Sequence, residues 1–158
     1  MMTAADTPLA ALAALAGRWT GSSLLVLSWE TPSEYRSDST AEVAVVAGGR
    51  FVTIAYTWAY KGQPCEGFLL AGRETKTEVA NAAWVDSWHQ REKPLQSVGT
   101  VTADGGVDVR GSYPAPEGPD WGWRTVVVPT GTGFTLTMYN VTPDGVEELA
   151  FENVYARA

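Results

Sequence analysis

Cysteine and histidine are nearly absent from this chain: its 158 residues include one of each, Cys65 and His89. A single cysteine excludes an internal disulfide, which fits a reducing compartment. No neighbour in sequence looks like an activating base, so Cys65 reads as a small apolar filler near a turn and not as a nucleophile. One histidine without a cysteine pair leaves no ligand set for a histidine-based zinc site, so no metal is expected. Positive charge is also scarce, with 11 Lys and Arg against 18 Asp and Glu, a net charge of −7 and no basic cluster. A duplex-binding surface needs a basic stripe, so nucleic acid is not an expected partner. No apolar run approaches the ~20 residues of a membrane-crossing helix, and no membrane partner is expected. The segment Met1 to Pro8 carries Asp6 and no Lys or Arg, unlike a secretory leader, and the expected location is the cytoplasm. Missing too are Gly-x-Ser-x-Gly, a glycine-rich phosphate loop ahead of a helix, and metal-spaced carboxylates. Gly131-x-Gly133 lies between strand patterns and reads as a turn.

What is present is strand pattern. A short helix over about residues 8–16 comes first, with Thr7 as N-cap, Pro8 in the first turn, an apolar stripe of Leu9, Leu12 and Leu15, and Gly17 as the helix-ending residue. The stripe is expected to plug one end of a barrel. Strands are predicted over 19–29, 42–46, 51–60, 66–73, 78–88, 95–102, 107–113, 123–128, 134–141 and 146–155. The clearest alternates Val52, Ile54, Tyr56, Trp58 and Tyr60 on one face. Turn chemistry links them at Lys61–Pro64, Asp104-Gly105-Gly106, Thr130–Gly133 and Pro143-Asp144-Gly145. Pro114–Asp120 holds too many prolines for a paired strand and reads as a loop over one rim. About ten strands in series predict an all-β antiparallel meander. Closure into one barrel domain over 1–158 is the usual way to remove its edges.

Gly17-Arg18-Trp19 after a short helix resembles the opening of lipocalins and other calycins, where the tryptophan closes a barrel end under an arginine of the last strand. That resemblance gives Gly17, Trp19 and Arg157 structural roles. The chain also resembles, over nearly all its length, the bacterial domain-of-unknown-function family 1579. The segments that carry the likeness are Leu15–Gly21, Gly48-Gly49-Arg50-Phe51, Trp84-Val85-Asp86-Ser87-Trp88, Met138-Tyr139, Asp144-Gly145 and Tyr155-Ala156-Arg157. This implies a calycin-like barrel and no particular reaction. Nitrobindin-type haem barrels look like more distant relatives.

Seven tryptophans are many for this length. Trp19 is assigned to the plug. Trp121 and Trp123 follow the proline-rich loop and could line a cavity mouth. A pocket with apolar walls and a few polar groups is the usual small-molecule site. The leading reading is therefore a barrel that holds a small apolar or aromatic molecule. Its candidate contacts are Tyr56, Trp58, Trp84, Asp86, Trp88, Trp123, Arg124 and Tyr139. A homo-oligomer is compatible with this composition. Along the strand that ends near His89, alternation sets Trp84, Asp86 and Trp88 on one face and Val85, Ser87 and His89 on the other. Two readings of Asp86 follow. An unpaired carboxylate among indoles has a raised pKa and suits acid/base catalysis of a cyclase or isomerase type, with Tyr56, Tyr139 or Arg124 orienting substrate. Alternatively Asp86 pairs with an arginine, Arg124 being the obvious one, and fixes register. His89 reads as a rim residue, or as the axial ligand of a haem, the one cofactor weighed.

Overall fold

The computed structural model describes residues 7–157. Ten strands form one closed antiparallel barrel. In chain order they are β1 Gly17–Val26, β2 Glu34–Val46, β3 Phe51–Tyr60, β4 Gln63–Arg73, β5 Ala80–Asp86, β6 Gln90–Val101, β7 Val107–Tyr113, β8 Trp121–Pro129, β9 Gly133–Val141 and β10 Glu147–Arg157. Each strand pairs with its neighbours in sequence, and β1 closes on β10, with Trp19 opposite Arg157 and Leu25 opposite Phe151. No edge is left unpaired, which removes the templates for edge-to-edge association.

The local reading differs at several boundaries: β1 ends at Val26, β5 ends at Asp86, and β6 begins at Gln90, five residues earlier than expected. The helix, α1, is one turn, Ala10–Ala13, and its N-cap is Leu9, which makes no side-chain cap. Thr7 and Pro8 therefore precede the helix, and Gly17 begins β1 instead of ending α1. The second strand starts eight residues earlier than its apolar part, because Glu34 to Ala41 pair with β1 while alternating exposed and covered side chains. A polar outward face hides a strand from a hydrophobicity search. Gln63 and Pro64 belong to β4, so the β3–β4 turn is only Lys61-Gly62, both with positive φ.

Alternation decides what fills the barrel. Val52, Ile54, Tyr56 and Trp58 of β3 point inward, as do Phe134, Leu136 and Met138 of β9, and all are buried. Leu9 and Leu12 join the same core from α1. The α1 end is sealed by Trp19. Its Nε1 donates to Leu15 O at 2.8 Å, its ring meets Phe134 edge-on at 5.5 Å, and the Arg157 guanidinium lies 4.1 Å from its centroid. Stacked guanidinium and buried indole together form an apolar plate with a charged outer face. Gly17 leaves room for it: a Cβ there would lie 2.7 Å from an Arg157 nitrogen, and its φ of +135° is one that side-chain-bearing residues avoid.

Trp19→Ala should lower unfolding free energy by about 3–5 kcal/mol, the usual range for a buried large aromatic. Urea melts followed by circular dichroism measure it; parental stability in the variant would contradict the role given to this plate.

Candidate functional site

The opposite end of the barrel is organised by Asp86. β5 stops there, a three-residue turn covers 87–89, and β6 begins at Gln90. Asp86 Oδ1 accepts from the main-chain N–H groups of Trp88 at 2.8 Å and His89 at 2.9 Å. An aspartate that binds the amides following it makes a turn of its own. The chain therefore reverses, and Asp86 pairs directly with Gln90. This reversal breaks the strand alternation. His89, expected on the face opposite Trp84 and Asp86, swings back inside the barrel.

Asp86 Oδ2 accepts from Tyr56 Oη at 2.6 Å and Trp58 Nε1 at 3.2 Å, and Trp84 Nε1 donates to Tyr56 Oη at 2.9 Å. The carboxylate is 2 % exposed and is held by four donors, none of them an arginine. Burial by itself would raise the Asp86 carboxyl, but the contacts from His89 and Tyr56 outweigh it and hold the group below its ordinary value. Burial, with the Asp86 charge beside it, pushes the Tyr56 hydroxyl well above its usual range. Both sequence readings of Asp86 are thus corrected. The pKa is lowered, not raised, and the expected arginine partner is elsewhere. Arg124 projects from the outer face of β8, where it binds Asp108 at 2.7 and 2.9 Å and Glu147 at 3.0 Å. Tyr139, opposite it in register, lies under the same guanidinium, 5.3 Å from ring centroid to Arg124 Cζ. Neither residue reaches the lumen.

Gly67 makes the network possible. A Cβ at this position would fall 2.2 Å from the Tyr56 ring, so glycine alone lets that ring lie flat across β4 and reach Asp86.

Above this network sits His89. Its side chain is 8 % exposed, and its Nδ1 lies 3.4 Å from Asp86 Oδ1. Neither ring nitrogen has a hydrogen bond of good geometry. The imidazole is ringed by Trp58, Trp84, Trp88, Trp123 and Phe151, with centroids 4.8–5.7 Å away. A cavity of about 200 Å³ opens here, lined by Trp84, Trp88, His89, Gln90, Leu95, Tyr113 and Trp123. Trp84 and Trp123 stack at 5.1 Å and 11° to make one wall. Trp123 Nε1 is buried without a partner. Tyr113, at the end of β7, donates its hydroxyl to Asn140 Oδ1. Of the sequence candidates, then, Trp84, Trp88 and Trp123 line the cavity, while Tyr56, Trp58 and Asp86 form the support beneath. Leu95 and Tyr113 were not foreseen. Leu95 pairs with Trp84 across β5 and β6, and Tyr113 ends β7 beside the proline-rich loop; those neighbours are the signal that could have found them. Trp121 is half-buried and outside the lining.

A wider, open hollow of about 900 Å³ runs along the outer faces of β1 to β5, between Arg18, Glu42, Phe68 and Arg91. Most of its walls are solvated strand side chains, and none of the buried unpartnered polar atoms belongs to it. Cys65 is buried and free, and burial pushes its thiol up, away from nucleophilic use. Among the described residues no group of three or more His, Cys, Asp or Glu is placed to hold a metal ion. No helix among them is long and apolar enough to cross a membrane.

The fold and the mouth define a class: a closed ten-stranded antiparallel barrel with a one-turn helix at one end. The chain belongs to the family described as "Protein of unknown function (DUF1579)", whose model matches residues 6–157. A solved structure with the same fold is that of Rv2717c from M. tuberculosis. It shares 16% identity at a TM-score of 0.63, over 96% of this chain and 97% of that one. A search among curated proteins gives no match.

The lowered Asp86 carboxyl stabilises the fold while it is ionised. That contribution is present above the unfolded carboxylate pKa and is lost as pH falls through the lower folded value. Asp86→Asn should therefore cost on the order of 2 kcal/mol at neutral pH, where a charged acceptor is exchanged for a neutral one. The gap to the parent should narrow below about pH 4. Urea midpoints measured from pH 7 downward test this, and a gap that stays constant would contradict it. Gly67→Ala should also destabilise, by displacing the Tyr56 ring; an unchanged melt would show that the ring has room to spare.

Proposed function

We propose that this chain is a binding barrel, calycin-like in shape, that holds one small, largely apolar aromatic molecule in the mouth opposite α1. The observation that carries the reading is the cavity walled by Trp84, Trp88 and Trp123 over the buried His89 ring, whose Nε2 has no hydrogen bond. Flat apolar walls with one or two polar atoms are what a small aromatic ligand requires. The rest of the lumen is filled by Leu25, Ile54, Leu69, Leu136, Met138 and Phe151, so binding is confined to this end. At about 200 Å³ the space lies below the ~300–1,000 Å³ of drug-sized sites, and the ligand is accordingly of fragment size. The net charge of −7 favours a small-molecule partner over nucleic acid.

The same size argues against haem. His89 is the one histidine a haem could use, and a carboxylate lies on its Nδ1 side. A tetrapyrrole, however, would need Trp84, Trp88 and Trp123 to move apart. Acid/base catalysis by Asp86 is not favoured either, because the carboxylate is buried and saturated with donors.

Trp88 is the wall residue to change. It is half-buried and its indole makes ring contacts alone, whereas Trp84 also donates to Tyr56, so truncating Trp84 disturbs folding as well as binding. In a titration with naphthalene-sized compounds, intrinsic tryptophan fluorescence should be quenched saturably. Trp88→Ala should weaken that binding about tenfold or more, with a smaller effect on the urea midpoint. Absence of saturable quenching across such a series would overturn the reading. Added haem should give no His89-dependent Soret band.

A further inference from the structure

We propose that the molecule held in this mouth carries a neutral hydroxyl group that donates its proton to His89 Nε2 and accepts from Trp123 Nε1. The inference rests on the mouth being a binding site and names the chemistry that site selects.

His89 Nδ1 faces Asp86 Oδ1 across 3.4 Å. A proton on Nδ1 is attracted by the nearby carboxylate even without a well-formed hydrogen bond, whereas a lone pair there would be repelled by it. Of the two neutral tautomers, the one with its proton on Nδ1 is therefore favoured, and it leaves a lone pair on Nε2. That lone pair is buried and has no partner. The indole Nε1 of Trp123 is a donor only, and it is likewise buried and unpartnered. Both rings line the cavity, with centroids 5.7 Å apart. The two rings are thus close enough for one small ligand to touch both. Unmet buried polar groups are costly, and a ligand that satisfies both gains over one that satisfies neither.

A hydroxyl is the smallest group that gives one proton and takes another. A carboxylate cannot donate, and it would place a second anion near Asp86 in a cavity whose lining contains no lysine or arginine. An ammonium cannot accept from Trp123. An aryl hydroxyl also provides the flat apolar body that the stacked pair Trp84 and Trp123 would cover.

The test compares three probes by calorimetry with the full chain: 1-naphthol, 1-fluoronaphthalene, which is nearly isosteric and has no donor, and 1-naphthoate. The expected order is 1-naphthol first, about tenfold tighter than 1-fluoronaphthalene, with 1-naphthoate weakest. His89→Phe keeps a ring in place and removes the acceptor. Within that variant the preference for 1-naphthol over 1-fluoronaphthalene should disappear, read as the ratio of the two affinities. The probe comparison on the unmodified protein does not depend on that variant folding. Equal affinities for the two neutral probes, or tightest binding of 1-naphthoate, would overturn the hydroxyl inference while leaving the mouth as a binding site. Failure of all three to bind would overturn the reading beneath it.

Discussion

The carboxylate of Asp86 is the constraint on which the aromatic end of this barrel depends. One of its oxygens closes the β5–β6 turn by taking two main-chain amides, and the other collects the Tyr56 hydroxyl and the Trp58 indole. The first oxygen sets the chain's course, and the second fixes the aromatic floor. A buried anion with fewer donors would be expelled or protonated. With four it stays ionised and orders what surrounds it, and its low-dielectric setting strengthens each bond. His89 stands inside the barrel because this turn places it there.

The two ends of the barrel solve different problems. At the α1 end, closure of β1 on β10 needs an apolar plate, and Trp19 under Arg157 provides it. At the other end the indoles of Trp84, Trp88 and Trp123 stand around an imidazole instead of packing on aliphatic side chains. Flat, rigid rings tile space less completely than branched aliphatic groups, and a cavity remains between them. The filled part of the lumen is packed mainly with aliphatic side chains and the mouth is walled by aromatic ones, with the Asp86 network as the border.

Much of this was legible in the residues. The alternation in Phe51–Tyr60 correctly sets Tyr56 and Trp58 inward, the turn residues count the strands, and Gly17-Arg18-Trp19 locates the sealed end. What escaped has physical causes. Period-two reasoning holds only while a strand lasts, and β5 ends at Asp86, so His89 falls on the wrong face if the pattern is carried three residues too far. The signal was local: an aspartate two and three residues ahead of amides with no strand partner can bond to both. Arg124 could have been excluded outright. It follows Trp123 in one strand, so the two side chains point to opposite faces, and only one can line a lumen. The pairing of Tyr56 with Asp86 joins residues thirty apart in sequence, and its enabling feature, the missing Cβ of Gly67, is visible only once β3, β4 and β5 lie side by side.

His89 is the one histidine of the chain, so its imidazole gives a single pair of side-chain nitrogen resonances. Long-range proton–nitrogen correlation spectra of the ligand-free protein, recorded where the ring is neutral, report which nitrogen holds the proton and which rings surround it. The account predicts a proton on Nδ1, a bare Nε2, and nuclear Overhauser contacts from the imidazole to Trp58 and Phe151. A proton on Nε2, or a ring in free exchange with water and without those contacts, would contradict the placement of His89 by the Asp86 turn.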